Sequence, residues 1–254
     1  FTRLYRAMNE ADTAVHAAAL KHVPVCEYNP IEAIQTNING AINVIEAAIN
    51  SGVDKAINIS TDKAVQPTNL YGATKMVAEK LFIHGNSYSG PRKTIFSSSR
   101  YGNVVGSSGS VVPLINEQKS QGEITITDER MTRFWITLEE GVKFVINCIE
   151  NMKGGEIFVP KIPSMKVTDL VDALAPECAK KIIGIRPGEK LHEVLLTEEE
   201  CRHAKEFEKY YIIEPEFAFW DENNHKDGKT MPRDFYYSSD RNSDWLDKNK
   251  IQEI

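Results

Sequence analysis

Tyr71 and Lys75 stand four residues apart in the stretch STDKAVQPTNLYGATK, Ser60–Lys75. On a helix that spacing is one turn, so both side chains project from one face. A neighbouring ammonium favours the ionised phenolate, which makes Tyr71 a candidate acid/base near neutral pH. Just upstream, Thr61, Asp62 and Lys63 follow the apolar run Ala56–Ile59, which reads as a buried parallel strand. A hydroxyl, a carboxyl and an amine leaving one strand end can fan around a single reacting carbon. The plainer alternatives are a solvated charge pair at Asp62-Lys63 and an ordinary exposed helix pair at Tyr71/Lys75. The position of the charges between a buried strand and Tyr71 argues against them.

The elements that must hold these groups follow from periodicity. Residues 1–12 read as a helix with Leu4, Ala7, Met8 and Ala11 on one face, and Thr13–Ala19 as a strand of small residues. There Ala17 would let a ligand approach the backbone, and Lys21 and His22 follow in the exit loop. Asn29-Pro30 predicts a helix start, with Asn as N-cap, and the helix runs to about Asn50 before Gly52. A helix is predicted over about Leu70–His84, a strand over Thr94–Arg100, and a loop over Gly106–Gly109. Beyond it the pattern predicts a helix at Val111–Ser120, a strand at Ile124–Thr127 and a capping box at Thr137–Glu140 opening a helix to about Met152. It then predicts a strand at Glu156–Pro160, a helix at Thr168–Ala175, a strand at Ile182–Arg186, a helix at Lys190–Leu196 and a late strand at Tyr210–Ile213. Residues 217–254 are polar and mixed.

Strand–helix alternation argues an α/β fold with a doubly wound parallel sheet, which binds ligands at the carboxyl ends of its strands. Lys21, Thr61–Lys63 and Asn103 all fall there. The expected division is a partial dinucleotide-binding domain, 1–104 with about 137–161, and a smaller α/β substrate-binding lobe, 105–136 with 162–254.

Composition narrows the classes. The chain has 254 residues, 41% hydrophobic and 26% charged, with net charge −6. That balance disfavours nucleic-acid binding, and no apolar run approaches the ~18–20 residues of a membrane span. The four cysteines, Cys26, Cys148, Cys178 and Cys201, are far apart and read as reduced bystanders, so a cytoplasmic protein is expected. His192-Glu193 lacks the second histidine of a zinc-protease motif, and no metal site is expected. A doubly wound dinucleotide fold normally opens with a strand and a G-x-G-x-x-G turn, and nothing like it precedes Lys21. The expectation is a chain truncated within its first helices, which would bind cofactor poorly as it stands; the alternative is a fold that binds no dinucleotide.

Several blocks in order carry a resemblance: HAAALKHVP (His16–Pro24), EYNPIEAIQTNINGA (Glu27–Ala41), STDKAVQPTNLYGATK, RYGNVVGS (Arg100–Ser107), ITDERMTRFWIT (Ile126–Thr137), GGEIFVPKIPSMKVTDL (Gly154–Leu170) and IIGIRPGEKLHE (Ile182–Glu193). To about Ile213 the chain resembles the inverting UDP-N-acetylglucosamine 4,6-dehydratases, extended short-chain dehydrogenase/reductases of the pseudaminic-acid pathway that decorates flagellin. The resemblance implies a Rossmann-like sheet missing its first strands. It implies UDP-N-acetylglucosamine as substrate, NADP as cofactor with NAD the alternative, and a homo-oligomer. By the same resemblance Tyr71 takes the carbon 4 hydroxyl proton, and Lys75 holds the nicotinamide ribose and lowers the Tyr71 pKa. Thr61 bonds the reacting oxygen, Asp62 protonates the departing oxygen, and Lys63 is the base at carbon 5. Ala17, Lys21 and Ser60 would border the cofactor. Lys21, Asn103, Thr127, Arg186 and Glu189 would meet the sugar nucleotide, with Arg186 a bidentate clamp on diphosphate. Arg130 and Arg133 could meet phosphate or form salt bridges.

Asp62-Lys63 discriminates, because retaining relatives carry Asp-Glu there and simple 4-epimerases have no acid–base pair. One departure is Ser108, where the family usually has Arg; it puts substrate affinity or assembly in doubt. The competing readings are a capsule-type UDP-sugar dehydratase or 4-epimerase, and a non-catalytic fragment.

Overall fold

The structure is a computed structural model and describes residues 1–90, 94–107, 111–216, 221 and 224–253. Ser108 and Gly109 lie outside the described residues. A seven-stranded sheet forms the frame, in the spatial order Thr13–His16, Lys55–Thr61, Ile95–Tyr101, Ile157–Pro160, Tyr210–Ile213, Ala204–Glu206, Lys229–Thr230. Its first four strands are parallel. The last three add antiparallel neighbours. Strands 204–206, 210–213 and 229–230 thus extend the main sheet, whereas the sequence placed them in the smaller lobe. Only pairing across some 50 residues of chain decides this, and a short apolar run does not encode its partner.

Alternate residues of the strands face opposite layers. Ala56 and Phe96 pack with Ala41, Val44, Ile45 and Phe82 beneath helices Gly40–Ser51 and Leu70–Tyr88. Ile57 packs with Cys148, Met152 and Phe158 against helix Leu138–Asn151. Helices on both faces make the sheet doubly wound, as expected.

Several local signals are realised. Thr137 and Glu140 form both halves of the capping box. Gly52 adopts φ 75°, the left-handed geometry that ends the preceding helix. Other details differ. Asn29 makes no N-cap bond; its amide donates to Val25 O and so closes the helix Val23–Tyr28, which the periodicity did not show. The long helix after Pro30 passes through a π segment at Gln35–Asn39.

Two smaller sheets lean over the strand ends. Asn103–Val104, Thr132–Ile136 and Ser164–Lys166 form one, and Glu123–Ile126 with Ala179–Ile182 another. The strand expected at Ile182–Arg186 therefore ends where it was expected to begin, because its partner strand runs out at Ile126. The helix expected at Lys190–Leu196 is instead loop and the strand Val194–Leu196, paired with Tyr237–Ser238. Burial of Val194, Leu195 and Leu196 on every side overrides their helical spacing. Residues of the polar C-terminal stretch thereby become structural, with Leu246 and Ile251 joining the lobe core of Ile124, Trp135 and Leu170. Among the described residues no helix is long and apolar enough to cross a membrane.

Candidate active site

Strand Lys55–Thr61 delivers the first three groups. Thr61 is extended, and its hydroxyl accepts from Lys63 N–H at 3.4 Å, closing a 3-10 turn at Asp62–Ala64. That turn reverses the chain at the strand end. Asp62 is fully buried and Lys63 points into a cleft of about 470 Å³. The Thr61 hydroxyl donates to Asp62 Oδ1 at 2.9 Å. Lys63 Nζ reaches Asp62 Oδ1 at 3.0 Å and Asn103 Oδ1 at 3.2 Å.

Helix Leu70–Tyr88 delivers the other pair. Asn69 Oδ1 caps it by accepting from Gly72 N–H, and Asn69 Nδ2 donates to Gly188 O. Gly72 lets the helix lie on the turn, since a Cβ there would fall 2.1 Å from Lys63 O. Asn37, in the π segment, ties this helix to the exit of strand Thr13–His16: it donates to Thr74 Oγ1 and Leu20 O and accepts from Leu20 N–H. Local non-α geometry inside a helix often marks such functional clamps.

Ala17, Lys21, Ser60, Thr61, Lys63, Tyr71, Lys75, Asn103, Arg186 and Glu189 all border the cleft. Asp62 reaches it through its bond to Lys63. Thr127 does not border it; it follows the strand Glu123–Ile126, and its hydroxyl turns to Met131 Sδ. Arg130 is exposed and chelates Asp128, whereas Arg133 borders the cleft. The expectation that Lys75 lowers the Tyr71 pKa is corrected. Burial pushes Tyr71 up to about 12, and Lys63 is the cation that draws it back. Lys75 is buried, bonded to Asn58 Oδ1 at 3.4 Å, and itself lowered to about 8 by burial, against the pull of Glu79.

Burial also works on the acid–base pair. It pulls Lys63 down, yet Asp62 and Glu193 outweigh it and hold the ammonium above its ordinary range. Burial raises Asp62, only partly opposed by Lys63. One proton passed from the Lys63 ammonium to the raised Asp62 carboxyl gives the base and the acid that an elimination requires. Sequence reasoning missed Glu193 and Lys190, which arrive from the loop after Arg186. Lys190 Nζ donates to Val65 O at 2.5 Å, and Thr68 and Asn69 both donate to Gly188 O. The available signal was the G-E-K-L-H-E run itself, four charged or titratable residues next to the phosphate candidate.

A nicotinamide nucleotide fits the residues present. The Ser60 hydroxyl is buried on the cleft wall without a partner among the described residues, and Ala17 and Ala19 leave room along one side. Lys75 offers donors not used by Asn58. Among the described residues no cluster could hold a metal ion.

The profile of the family described as "Polysaccharide biosynthesis protein" matches residues 1–215. The chain is 53% identical over 261 aligned residues to the UDP-N-acetylglucosamine 4,6-dehydratase (inverting) of Campylobacter jejuni, covering 99% of this chain and 78% of that protein. It is 45% identical to the UDP-glucose 4-epimerase of Rickettsia typhi, over 82% of this chain and 62% of that one. Among solved structures, Pen from Bacillus thuringiensis superposes with TM-score 0.89 at 38% identity, covering 100% of this chain and 78% of that one. With a cleft that joins the buried Asp62 and its partner Lys63 with Tyr71, and this identity along nearly its whole length, the chain belongs to the family of inverting UDP-N-acetylglucosamine 4,6-dehydratases.

Proposed function

We propose that the protein is a hydro-lyase that converts UDP-N-acetylglucosamine to a 4-keto-6-deoxy sugar with inversion at carbon 5. The carrying observation is the Asp62–Lys63 pair, 3.0 Å apart at a strand end and in one cleft with Tyr71 and Arg186. The carbon 5 proton is not acidic beside an alcohol, so carbon 4 must first become a ketone. When bound, a nicotinamide nucleotide held by Lys75, Ser60 and Ala17 would supply the hydride chemistry, accepting hydride from carbon 4 and giving it back at carbon 6, and its oxidised form would add positive charge to the cleft. Tyr71 carries the carbon 4 hydroxyl proton away, and Thr61 bonds that oxygen. Lys63 then removes the carbon 5 proton, and Asp62 gives its proton to the carbon 6 oxygen, which leaves as water. Delivery of a proton to the opposite face of carbon 5 inverts it.

Lys75, Ser60 and Ala17 are assigned to the nicotinamide nucleotide, and Lys21 to the border between it and the sugar. Arg186 is assigned to diphosphate, Glu189 to a ribose hydroxyl, and Asn103 to the sugar. The parallel strands and their helices form the cofactor-binding part, and the smaller sheets form the substrate lobe. NADP is the proposed cofactor, with NAD the alternative that comparative binding decides. The exposed apolar row Tyr28, Ile31 and Ile34 supports a homo-oligomer. The reading places the reaction in the cytoplasm, on the route to pseudaminic acid for flagellin, as the sequence resemblance implies.

The test is the full-length protein with UDP-N-acetylglucosamine in D2O, followed by NMR of the product. Loss of water with deuterium at carbon 5 and an inverted centre is expected, and a retained configuration overturns the reading. Lys63→Ala should abolish elimination yet leave nicotinamide binding intact. The Rickettsia relative favours one second reading, a 4-epimerase. A carbon 4 epimer without carbon 5 exchange would establish it.

A further inference from the structure

Glu193 is a buried carboxylate, 2% exposed, and like Asp62 it lies within ion-pair distance of Lys63. Three cations converge on it: Lys63 Nζ at 3.4 Å, Lys190 Nζ at 3.7 Å and Arg133 Nε at 3.9 Å. Its backbone is fixed by the C-terminal stretch. Glu193 N–H donates to Ser239 Oγ at 2.9 Å, and Ser239 N–H donates to Glu193 O at 2.8 Å. The Ser239 hydroxyl also shares a 2.6 Å bond with Thr132 Oγ1. Lys190, holding Val65 O, and Asn69, holding Gly188 O, fasten the same segment to the catalytic turn. The backbone that carries the carboxylate is therefore held from both sides. Burying a charge is strongly unfavourable unless its partners offset the lost hydration, and a purely structural position is served as well by an apolar side chain.

We propose that Glu193 is a positioning residue of the elimination, acting through Lys63: it holds the Lys63 nitrogen on the cleft side of Asp62 and favours the ammonium that forms when the carbon 5 proton is taken. This rests on the dehydratase reading. The resting pair, ammonium with carboxylate, and the reactive pair, amine with carboxylic acid, contain the same protons. One transfer between Nζ and Oδ1 interconverts them. In the elimination the amine takes the carbon 5 proton, and its C–H electron pair enters the enolate of the carbon 4 ketone. That pair then expels the carbon 6 oxygen, which takes the Asp62 proton and leaves as water. The pair ends as ammonium and carboxylate, with the ammonium 3.4 Å from Glu193. The groups facing Lys63 are Asp62, Glu193, Tyr71, Asn103, Arg133 and Lys190. Glu193 raises both members of the pair, while Arg133 lowers Lys63.

The experiment measures carbon 5 deuterium exchange and dehydration of UDP-N-acetylglucosamine against pH in the full-length protein, with KM and nicotinamide binding alongside. In Glu193→Gln the loss of the carboxylate moves the limb belonging to the Asp62–Lys63 pair to lower pH by about one unit or more. The elimination kcat falls about tenfold or more. KM and nicotinamide binding stay near the parent values, and Glu193→Asp restores part of the rate and the profile. Arg133→Gln moves the limb the other way. An unmoved limb, or equal loss in binding, oxidation and elimination, overturns the proposal and leaves Glu193 a packing residue. If Glu193→Gln does not fold, Arg133→Gln decides, and a limb that is unmoved or moves down refutes the assignment. If the parent protein itself shows neither exchange nor dehydration, the dehydratase reading has failed, and that outcome is distinct from failure at Glu193.

Discussion

Gly72→Ala sets two opposing effects against each other at the helix that carries Tyr71 and Lys75. Alanine is the better helix former by about 1 kcal/mol. The new methyl, however, would lie 2.1 Å from Lys63 O, 3.0 Å from Lys63 C and 3.2 Å from Pro67 Cβ. Unstrained heavy-atom contacts begin at about 3.5 Å, so the overlap with the carbonyl exceeds 1 Å by a clear margin. That carbonyl is backbone in the 3-10 turn, and Asp62 and Lys63 must move with it. Such overpacking typically costs about 1–3 kcal/mol, which outweighs the propensity gain. A displacement of about 1 Å between reacting groups can lower a rate by about 100-fold. We expect a Tm lowered by a few degrees and a dehydration kcat lowered by one to two orders of magnitude, about as far as that displacement implies. Gly141→Ala is the control, since a Cβ there meets no heavy atom within 4 Å in helix Leu138–Asn151. It should gain about 1 kcal/mol, or about 2–4 °C in Tm. Thermal melts and single-turnover exchange at carbon 5 read both quantities. A Gly72→Ala protein with raised Tm and undiminished kcat would refute the claim that this contact sets the Tyr71–Lys63 geometry.

Two further perturbations probe the frame. His16 is buried and stacked on Phe82, and burial, with the nearby Lys75, lowers its pKa to about 4 from 6.5. The unfolded chain then binds more protons, so stability is full above about pH 6.5 and falls towards pH 4. The loss between pH 7.5 and 5 is about 2 kcal/mol, and urea titrations of His16→Phe should lack that slope. Arg100 is 3% exposed and uses Nε, Nη1 and Nη2 on Glu79, Glu200 and Leu195 O. Arg100→Met strands the buried Glu79 and should destabilise by about 3–5 kcal/mol; a change under about 1 kcal/mol in chemical denaturation would contradict this.

Sequence alone determined what is local. Strand–helix alternation, the Thr137–Glu140 box and the helix stop at Gly52 each depend on residues within one or two turns. The strand end at Thr61–Lys63 and the helix bearing Tyr71 and Lys75 were legible for the same reason, and so was the kind of chemistry they support. Tertiary structure decided what depends on partners far along the chain. Glu193 meets Lys63 across 130 positions, and Ser239 fixes it from the C-terminal stretch. Val194–Leu196 became a strand because Tyr237–Ser238 pairs with it. Thr127 left the cleft although its motif placed it there. The charge states were equally non-local. Spacing put Lys75 beside Tyr71 and suggested a lowered pKa, but burial is the larger influence and acts in the opposite direction. Desolvation depends on everything packed around a group, and a sequence specifies that only once it has folded.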